Sequence, residues 1–509
     1  MAGLALAGVG AALLILGARP SDARFRAVFP VAVAVFCAAA VFAGVAATSE
    51  VRGRGQLAGA VASGATIGAQ VVIASEARAA GGFDGRILVA ATLVEGTAGG
   101  VRFAADAPVV LIGGADWAGI PPGTRVRLAG TLRPSDPGER SVAFLTAKTA
   151  PLERQAPSGW ESTTASIRQG WAEAAQRRWG PASSDVVGLL RGMVTGERSA
   201  LPADLSDAMK TVGLTHLTAV SGANCTIVLA TLLLLARSLR IPRWPAALLA
   251  CAGLLGFVAV VGPDPSVLRA AVMGGLGAAA MLTGRPRRIG AWLSCAVVGL
   301  LIADPWLATD FAFILSVLAT LGLLLVGQRC ARWLAVWMPH WLAQAIAIPV
   351  AAQLLCAPAI VLLSPRLAVF AVPANMVAAP VVALVTMVGT LGLAAALWLP
   401  WLAEGCAGVA GLGVGWVAST ARFAAALPGA SLPWPEGAGG AVLMAALSLV
   451  FVAGLWASVN AARLRPLLVV LVRWLPAPLA AVAGFPLLVA LLSLAAGIVA
   501  WILASAASG

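Results

Sequence analysis

The feature that most constrains this chain is a series of apolar runs separated by short segments that often carry arginine. Each run is about 20 residues long, the length with which a helix crosses the ~30 Å hydrocarbon core of a bilayer. Of the 509 residues, 60% are apolar and only 11% are charged. Lipid offers no hydrogen bonds to the backbone, so such runs cross membranes as helices. The sequence therefore predicts a polytopic α-helical membrane protein with about twelve spans.

Basic residues indicate the direction of each predicted span, because cytoplasmic loops are enriched in arginine and lysine. Three arginines follow the first apolar run, so residues 1–47 are predicted to form two spans joined by a cytoplasmic loop. Everything from residue 48 to residue 205 is then expected outside the cell. The net charge of +13 requires no nucleic-acid partner, since basic cytoplasmic loops produce the same excess.

Residues 48–158 differ in character, with short β-rich runs separated by Gly, Pro and Asp turns. That spacing predicts a small external antiparallel barrel or sandwich. The phrase PPGTRVRLAGTLRP resembles the strands of OB folds, which bind single-stranded nucleic acid through basic grooves. The candidate DNA-binding residues are Arg78, Arg86, Arg102, Arg125, Arg127 and Arg133. Acidic residues are interleaved with them, so solvated strand faces on a purely structural domain are the alternative.

The remainder of the chain is predicted to be helical. Residues 159–210 carry tryptophans among charged residues, which predicts an interfacial helix followed by connecting helices. Residues 211–399 are predicted to form a transmembrane core, and residues 400–509 to form the carboxyl-terminal spans.

The predicted core has two irregular places. The stretch 211–228, TVGLTHLTAVSGANCTIV, puts polar side chains at the start of the third span. The run 367–399 is too long for one straight span, and Pro373 and Pro380 predict a broken or re-entrant helix around Asn375.

Polar side chains within lipid usually face a protein interior or a water-filled path. The predicted topology places polar residues of spans 3, 5, 7 and 9 in the outer half of the membrane or near its midplane, where we expect a polar vestibule. They are His216, Ser221, Asn224, Arg269, Asp310 and Asn375, with Gly222 beside them and Asp304 at the outer turn between spans 6 and 7. Hydrogen bonding between helices and capping of helix ends are the alternatives for the same side chains.

Several chemistries are excluded or disfavoured. The chain has 2 histidines, far apart, and 7 cysteines without metal-ligand spacing, so we expect no metal centre. His216 and Ser221 point about 140° apart on a regular helix, which makes them a poor hydrolytic dyad. No phosphate-binding loop is present, so any ATP-driven step needs a partner. We expect no catalytic residues and no cofactor.

Four sequence elements, in order, resemble the ComEC family of bacterial competence proteins. They are LLRGMVTGERSALPADLSDAMKTVGLTHLTAVSGANCTIV (189–228), PSVLRAAVMGGL (265–276), IADPWLATDFAFILSVLATLGLLL (302–325) and VPANMVAAPVV (372–382). The resemblance implies a channel in the bacterial cytoplasmic membrane that imports single-stranded DNA during natural transformation. The motif positions carried over are His216, Ser221, Gly222, Arg269, Asp310, Ser316 and Asn375.

The chain departs from the family pattern in places. Asn224 stands where the family has a second motif histidine, and Ile314 replaces a glutamine, which removes polar groups from the expected path. Many family members continue into a metallo-β-lactamase-like domain, and we expect this chain to be a form that lacks it. The expected partners are single-stranded DNA, the lipid bilayer, an external DNA receptor, a separate nuclease and a cytoplasmic ATP-driven motor. A small-solute or lipid-linked carrier and a purely structural membrane component are the alternative functions.

Overall fold

A computed structural model of the chain describes residues 56–75, 77–79, 86–136, 139–157, 159–218, 220, 222–262, 264–282 and 289–460. The described residues form two compact units. The first contains the described residues up to Leu201, those from Ala219 to Asp310, and Thr386–Gly411. The second contains Pro202–Thr218, Phe311–Val385 and the described residues from Leu412 onward. The predicted spans within 1–47 and 485–505 lie outside the described residues.

The β-rich region is confirmed, and it belongs to the first unit. Its elements are α1 (Gln56–Ala62), β1 (Thr66–Ile73), β2 (Arg78–Ala79), β3 (Ile87–Ala98), β4 (Val101–Gly113), β5 (Arg125–Pro134), β6 (Ala143–Ala147) and β7 (Glu153–Gln155). Side chains alternate between the interior and solvent along these strands; in β5, Val126, Leu128 and Leu132 are buried. This period of two is what a half-buried strand requires.

The strands close into a barrel rather than forming a sandwich. Their order is β1, β3, β4, β6, β5, and β5 pairs again with β1. The interior is filled by aliphatic side chains together with Trp117. The expectation of an entirely antiparallel barrel is wrong at one seam, because β4 and β6 are parallel. β6 lies between β4 and β5 in the sheet. It pairs antiparallel with β5 and therefore runs in the same direction as β4.

The helices follow the barrel. They are α2 (Trp160–Trp179), α3 (Ser184–Thr195), α4 (Ala203–Thr211), α5 (Gly222–Ser238), α6 (Arg243–Val261), α7 (Pro265–Leu282), α8 (Ile289–Ala303), α9 (Phe311–Leu334, with a π-helical turn at Leu323–Gly327), α10 (His340–Leu363), α11 (Ala371–Ala395), α12 (Pro400–Ala426) and α13 (Gly437–Val459). A two-stranded sheet pairs β8 (Arg366–Ala368) with β9 (Ser431–Pro433).

Six of these helices, α6 and α9 to α13, are long and apolar enough to cross a membrane. Shorter apolar helical stretches occupy Asn224–Ser238, Ser266–Leu276 and Leu293–Ala303. The chain is therefore a membrane protein with an amino-terminal β-rich region, and the total of about twelve spans remains a prediction.

One predicted helix start and one predicted helix break are wrong. The third span was expected from residue 211, but its helix begins at Gly222. The expected break around Asn375 is absent, because α11 is one continuous helix. Pro373 lies in the first turn, where a backbone N–H has no helical partner in any case, and Pro380 is accommodated inside the helix.

The predicted helix at 160–179 is present, and one face of it packs against other helices of the first unit. Trp171 is fully buried and lies against Gly392, where a Cβ would come within 2.4 Å of the indole ring. Trp179 Nε1 donates a hydrogen bond to the carbonyl of Ala407 at 2.9 Å. Arg177 forms an ion pair with Glu404 at 2.6 Å. α2 therefore joins the barrel to the amino-terminal part of α12.

Gly130 provides a test of the barrel packing. A Cβ at this position would lie 2.7 Å from the carbonyl oxygen of Thr146 on the neighbouring strand. We predict that Gly130→Ala destabilises the barrel by about 1–3 kcal/mol, the usual cost of overpacking. The matched control is Gly68→Ala on β1, where a Cβ meets nothing within 4 Å. The measurement is thermal unfolding of both variants of the full chain, and equal midpoints would contradict the packing.

Candidate functional site

The polar stretch at residues 211–228 does not form one helix. Thr215–Thr218 form a 3₁₀ turn, and Ser221 lies outside the described residues. The turn follows Gly213, which has a φ of +72°, and a Cβ there would come 3.1 Å from Cβ of Ala371. A larger residue would be both strained and crowded, so glycine allows the chain to turn beside the start of α11.

In the second unit, His216 and Asn375 come together. The residue His216 is exposed, although protein atoms surround its imidazole ring, which is hydrogen-bonded to the side chain of Asn375 and to the backbone of Gly213. Asn375 Nδ2 donates to the Ala371 carbonyl at 2.7 Å, which leaves its Oδ1 to accept from the imidazole. Two motif elements more than 150 residues apart in the sequence thus meet at the first turn of α11.

In the first unit, Asn224 links two helices. Its Nδ2 donates to the carbonyl of Met193 at 3.1 Å, and the residue is only 3% exposed. Met193 lies in the last turn of α3, where carbonyls have no partner within the helix. The Asn224 side chain therefore caps the end of α3 from the first turn of α5.

Arg269 packs against the beginning of the same helix. It is 7% exposed, and its Nη2 lies 3.3 Å from the position that a Cβ on Gly222 would occupy. Its Nη1 lies 3.2 Å from the sulfur of Met273. Nearby, the Ser266 hydroxyl donates to the carbonyl of Val220 at 3.2 Å. Glycine at 222 is therefore what lets the guanidinium approach the amino terminus of α5.

The acidic residues between α8 and α9 have separate roles. Asp304 caps a 3₁₀ turn at Pro305–Ala308 by accepting a hydrogen bond from the Trp306 amide at 3.2 Å, which matches the capping alternative. Asp310 is half-buried immediately before α9. Ser316 is half-buried on α9, and its carbonyl accepts a hydrogen bond from Thr320 at 2.9 Å.

The expected path residues are thus distributed over the two units. Gly222, Asn224 and Arg269 cluster in the first unit, which also contains Asp310. His216 and Asn375 form a pair in the second unit, which also contains Ser316. The shared vestibule remains a prediction. Among the described residues, no group of three or more His, Cys, Asp or Glu side chains is arranged to hold a metal ion.

Several charged side chains around α3, α4 and α12 are paired. The pairs are Arg191 with Glu197, Lys210 with Asp207, and Arg422 with Asp204. The hydrogen bond from Arg422 holds the pKa of Asp204 below its usual value. The sequence also suggests Arg191, Arg198 and Lys210 as cations at the entrance of the expected path. The acidic partners of Arg191 and Lys210 reduce the positive potential that these two side chains offer to an anion.

The candidate arginines of the barrel do not form one patch. Arg125 and Arg127 point to solvent from β5, and Arg127 forms an ion pair with Glu153 at 3.1 Å. Arg102 pairs with Thr97 near the β3–β4 turn, whereas Arg86 precedes the other end of the same hairpin. Ten strand residues separate those ends, which is roughly 33 Å. Arg133 is exposed, and Arg78 lies in β2, which pairs with β3.

Sequence reasoning missed two residues that make contacts in this region. Arg140 forms an ion pair with Asp304 at 3.0 Å, although it lies in a turn without any periodic pattern. Met193 contributes only a backbone carbonyl to Asn224, so its side-chain type carries no signal.

Comparison with known proteins places these residues in context. The Competence protein family matches residues 193–460, which is more than half of the chain. The matched region begins at Met193 and contains the polar stretch, Arg269, Asp310 and Asn375. No solved structure matches the chain significantly.

Two curated relatives match shorter segments. Competence protein ComA of Neisseria gonorrhoeae is 32% identical over 148 residues, which are 26% of this chain and 21% of that protein. ComE operon protein 3 of Bacillus subtilis is 27% identical over 196 residues, 38% of this chain and 25% of that protein. The matches therefore span no more than a quarter of either relative. On the extent of the family match, the chain belongs to the Competence protein family.

Proposed function

We propose that the chain is a membrane channel that imports single-stranded DNA across the bacterial cytoplasmic membrane during natural transformation. The observation that carries the proposal is the family match over 193–460, which coincides with the region where the polar motif residues lie. Membership supports a role in competence and DNA uptake, and in this proposal the role is transport rather than catalysis.

The phosphate groups of DNA determine what such a channel must provide. Each nucleotide brings a negative charge, so passage needs water and positive potential rather than a hydrocarbon wall. Arg269, beside the amino terminus of α5, is the cation best placed to supply that potential in the first unit. His216, exposed and hydrogen-bonded to Asn375, is the group best placed to contact the strand in the second unit.

The barrel is proposed to receive the strand outside the cell. A five-stranded barrel is also the architecture of OB folds, which bind oligonucleotides. The solvent-facing Arg125 and Arg127 on β5 supply charge for the phosphates. In this proposal residues 48–158 form the external domain, 159–210 connect it, 211–399 form the channel core and 400–509 complete the membrane region. An external receptor, a separate nuclease and a cytoplasmic ATP-driven motor complete the system.

A deletion strain tests this function directly. Loss of the chain is expected to abolish chromosomal transformation and entry of DNA into the cytoplasm, while DNA attachment to the cell surface is unchanged. Complementation with the intact chain should restore entry. Normal DNA entry in the deletion strain, with no second family member encoded, would contradict the channel and favour a carrier or structural role.

The hydrogen bond between His216 and Asn375 makes a second prediction. His216→Ala and Asn375→Ala are each expected to lower DNA entry about three- to tenfold, which corresponds to roughly one hydrogen bond. Because the two residues share that bond, the double variant should be no worse than the more severe single variant. Thr420→Val is the control, since the Thr420 hydroxyl bonds only its own helix at Trp416. Multiplicative losses would contradict the pairing.

The barrel proposal is tested by salt dependence. Single-stranded DNA binding by the full chain should weaken linearly with log salt concentration. Replacing Arg125 and Arg127 with glutamine is expected to reduce the magnitude of that slope by about 0.7 for each phosphate that β5 no longer neutralises. Arg154→Gln is the matched control, because this exposed arginine bonds the Asp116 carbonyl. A slope that falls equally for the control, or does not fall, would contradict a site on β5.

A further inference from the structure

The barrel meets the helical part of its own unit at both ends of strand β5. Before β5, the turn at Gly123 lies beside the start of α2, and a Cβ on Gly123 would come 3.2 Å from the Glu161 carboxylate. After β5, the loop to β6 carries Arg140, whose Nη2 lies 3.0 Å from Oδ2 of Asp304. β5 has 10 residues, so its two ends are roughly 30 Å apart.

The two attachments differ in kind. At the first, the chain itself continues from the barrel into α2, so the barrel cannot leave. At the second, the link is an ion pair whose Arg140 side chain is 66% exposed. Because the arginine side chain is exposed, we expect salt to screen this pair, whereas it cannot release the covalent connection.

Hydrogen bonding fixes the Asp304 carboxylate in position for that contact. One carboxylate oxygen accepts the hydrogen bond from the Trp306 amide and thereby closes the turn between α8 and α9. The other oxygen accepts from Arg140, and the Asp304 side chain is only 27% exposed. The Asp304 carboxylate is therefore fixed by its own turn, and its partner in the ion pair is the arginine that follows β5.

We propose that Arg140 is a positioning residue whose ion pair with Asp304 docks residues 139–142, which lead into β6, on the α8–α9 turn. The pair sets the orientation of the barrel above the helices of its unit, with the start of α2 as the fixed point. This inference rests on the proposed function in one respect, namely that the docked barrel delivers single-stranded DNA to the turn that leads to Asp310. The docking itself is independent of any DNA.

Cross-linking beside the pair tests the docking without disturbing it. In a background with the 7 native cysteines replaced by alanine, Ser141→Cys and Ala303→Cys flank Arg140 and Asp304 by one residue each. A short bismaleimide should join them efficiently in membranes at low salt. Yield is expected to fall several-fold with Arg140→Glu or at molar salt, and to recover in the swapped variant Arg140→Glu/Asp304→Arg. Arg154→Cys with Ala303→Cys is the control, because β7 pairs with the other end of β5 and should give no product.

The outcomes separate the docking from the transport. A yield that ignores Arg140→Glu and salt, or an equal yield in the Arg154→Cys control, would overturn the positioning role. If the swapped variant is poorly produced, the salt dependence of the unswapped pair decides the question. Charge-dependent cross-linking in a chain that does not support DNA entry would leave the docking in place and reject the proposed function. If both hold, Arg140→Glu should lower DNA entry and the swap should restore it.

Discussion

The structure depends on one constraint, which is that polar groups next to lipid must find partners within the protein. Three contacts near the polar stretch satisfy this constraint: Asn224 with the Met193 carbonyl, Ser266 with the Val220 carbonyl, and His216 with Asn375. Each joins two different elements. An unpartnered amide or hydroxyl in hydrocarbon costs several kcal/mol, so these bonds favour the packing of the elements that they join.

That constraint changes the interpretation of the polar side chains at residues 211–228. From the sequence alone, its side chains predict the lining of a path. In the structure, Asn224 and Arg269 are buried, and Asn224 caps a neighbouring helix. The hydrogen-bonding alternative thus accounts for the position of Asn224. In the proposed function, His216 is the residue of this stretch that contacts the strand.

Much of the fold could be predicted from the sequence, for identifiable physical reasons. Apolar runs near 20 residues predicted α6, α9, α10, α12 and α13, and alternation predicted β5, because burial imposes those periods. The start of α5 was not predictable from hydropathy, since a window of residues cannot distinguish a 3₁₀ turn at Thr215–Thr218 from the first turn of a span. Pro373 suggested a break because its position in the first turn of α11 was unknown. The Arg140–Asp304 contact depends on the fold and leaves no local pattern.

The central claim is that a single DNA strand passes the segment containing His216. The most direct measurement places a photo-cross-linking amino acid at Thr215, which is exposed beside it, in cells taking up labelled DNA with a bulky terminal block. The account predicts covalent capture of single-stranded DNA at Thr215 and none at Leu449, which is 71% exposed on the apolar helix α13. Equal capture at both positions, or capture at neither while DNA still enters the cell, would contradict it.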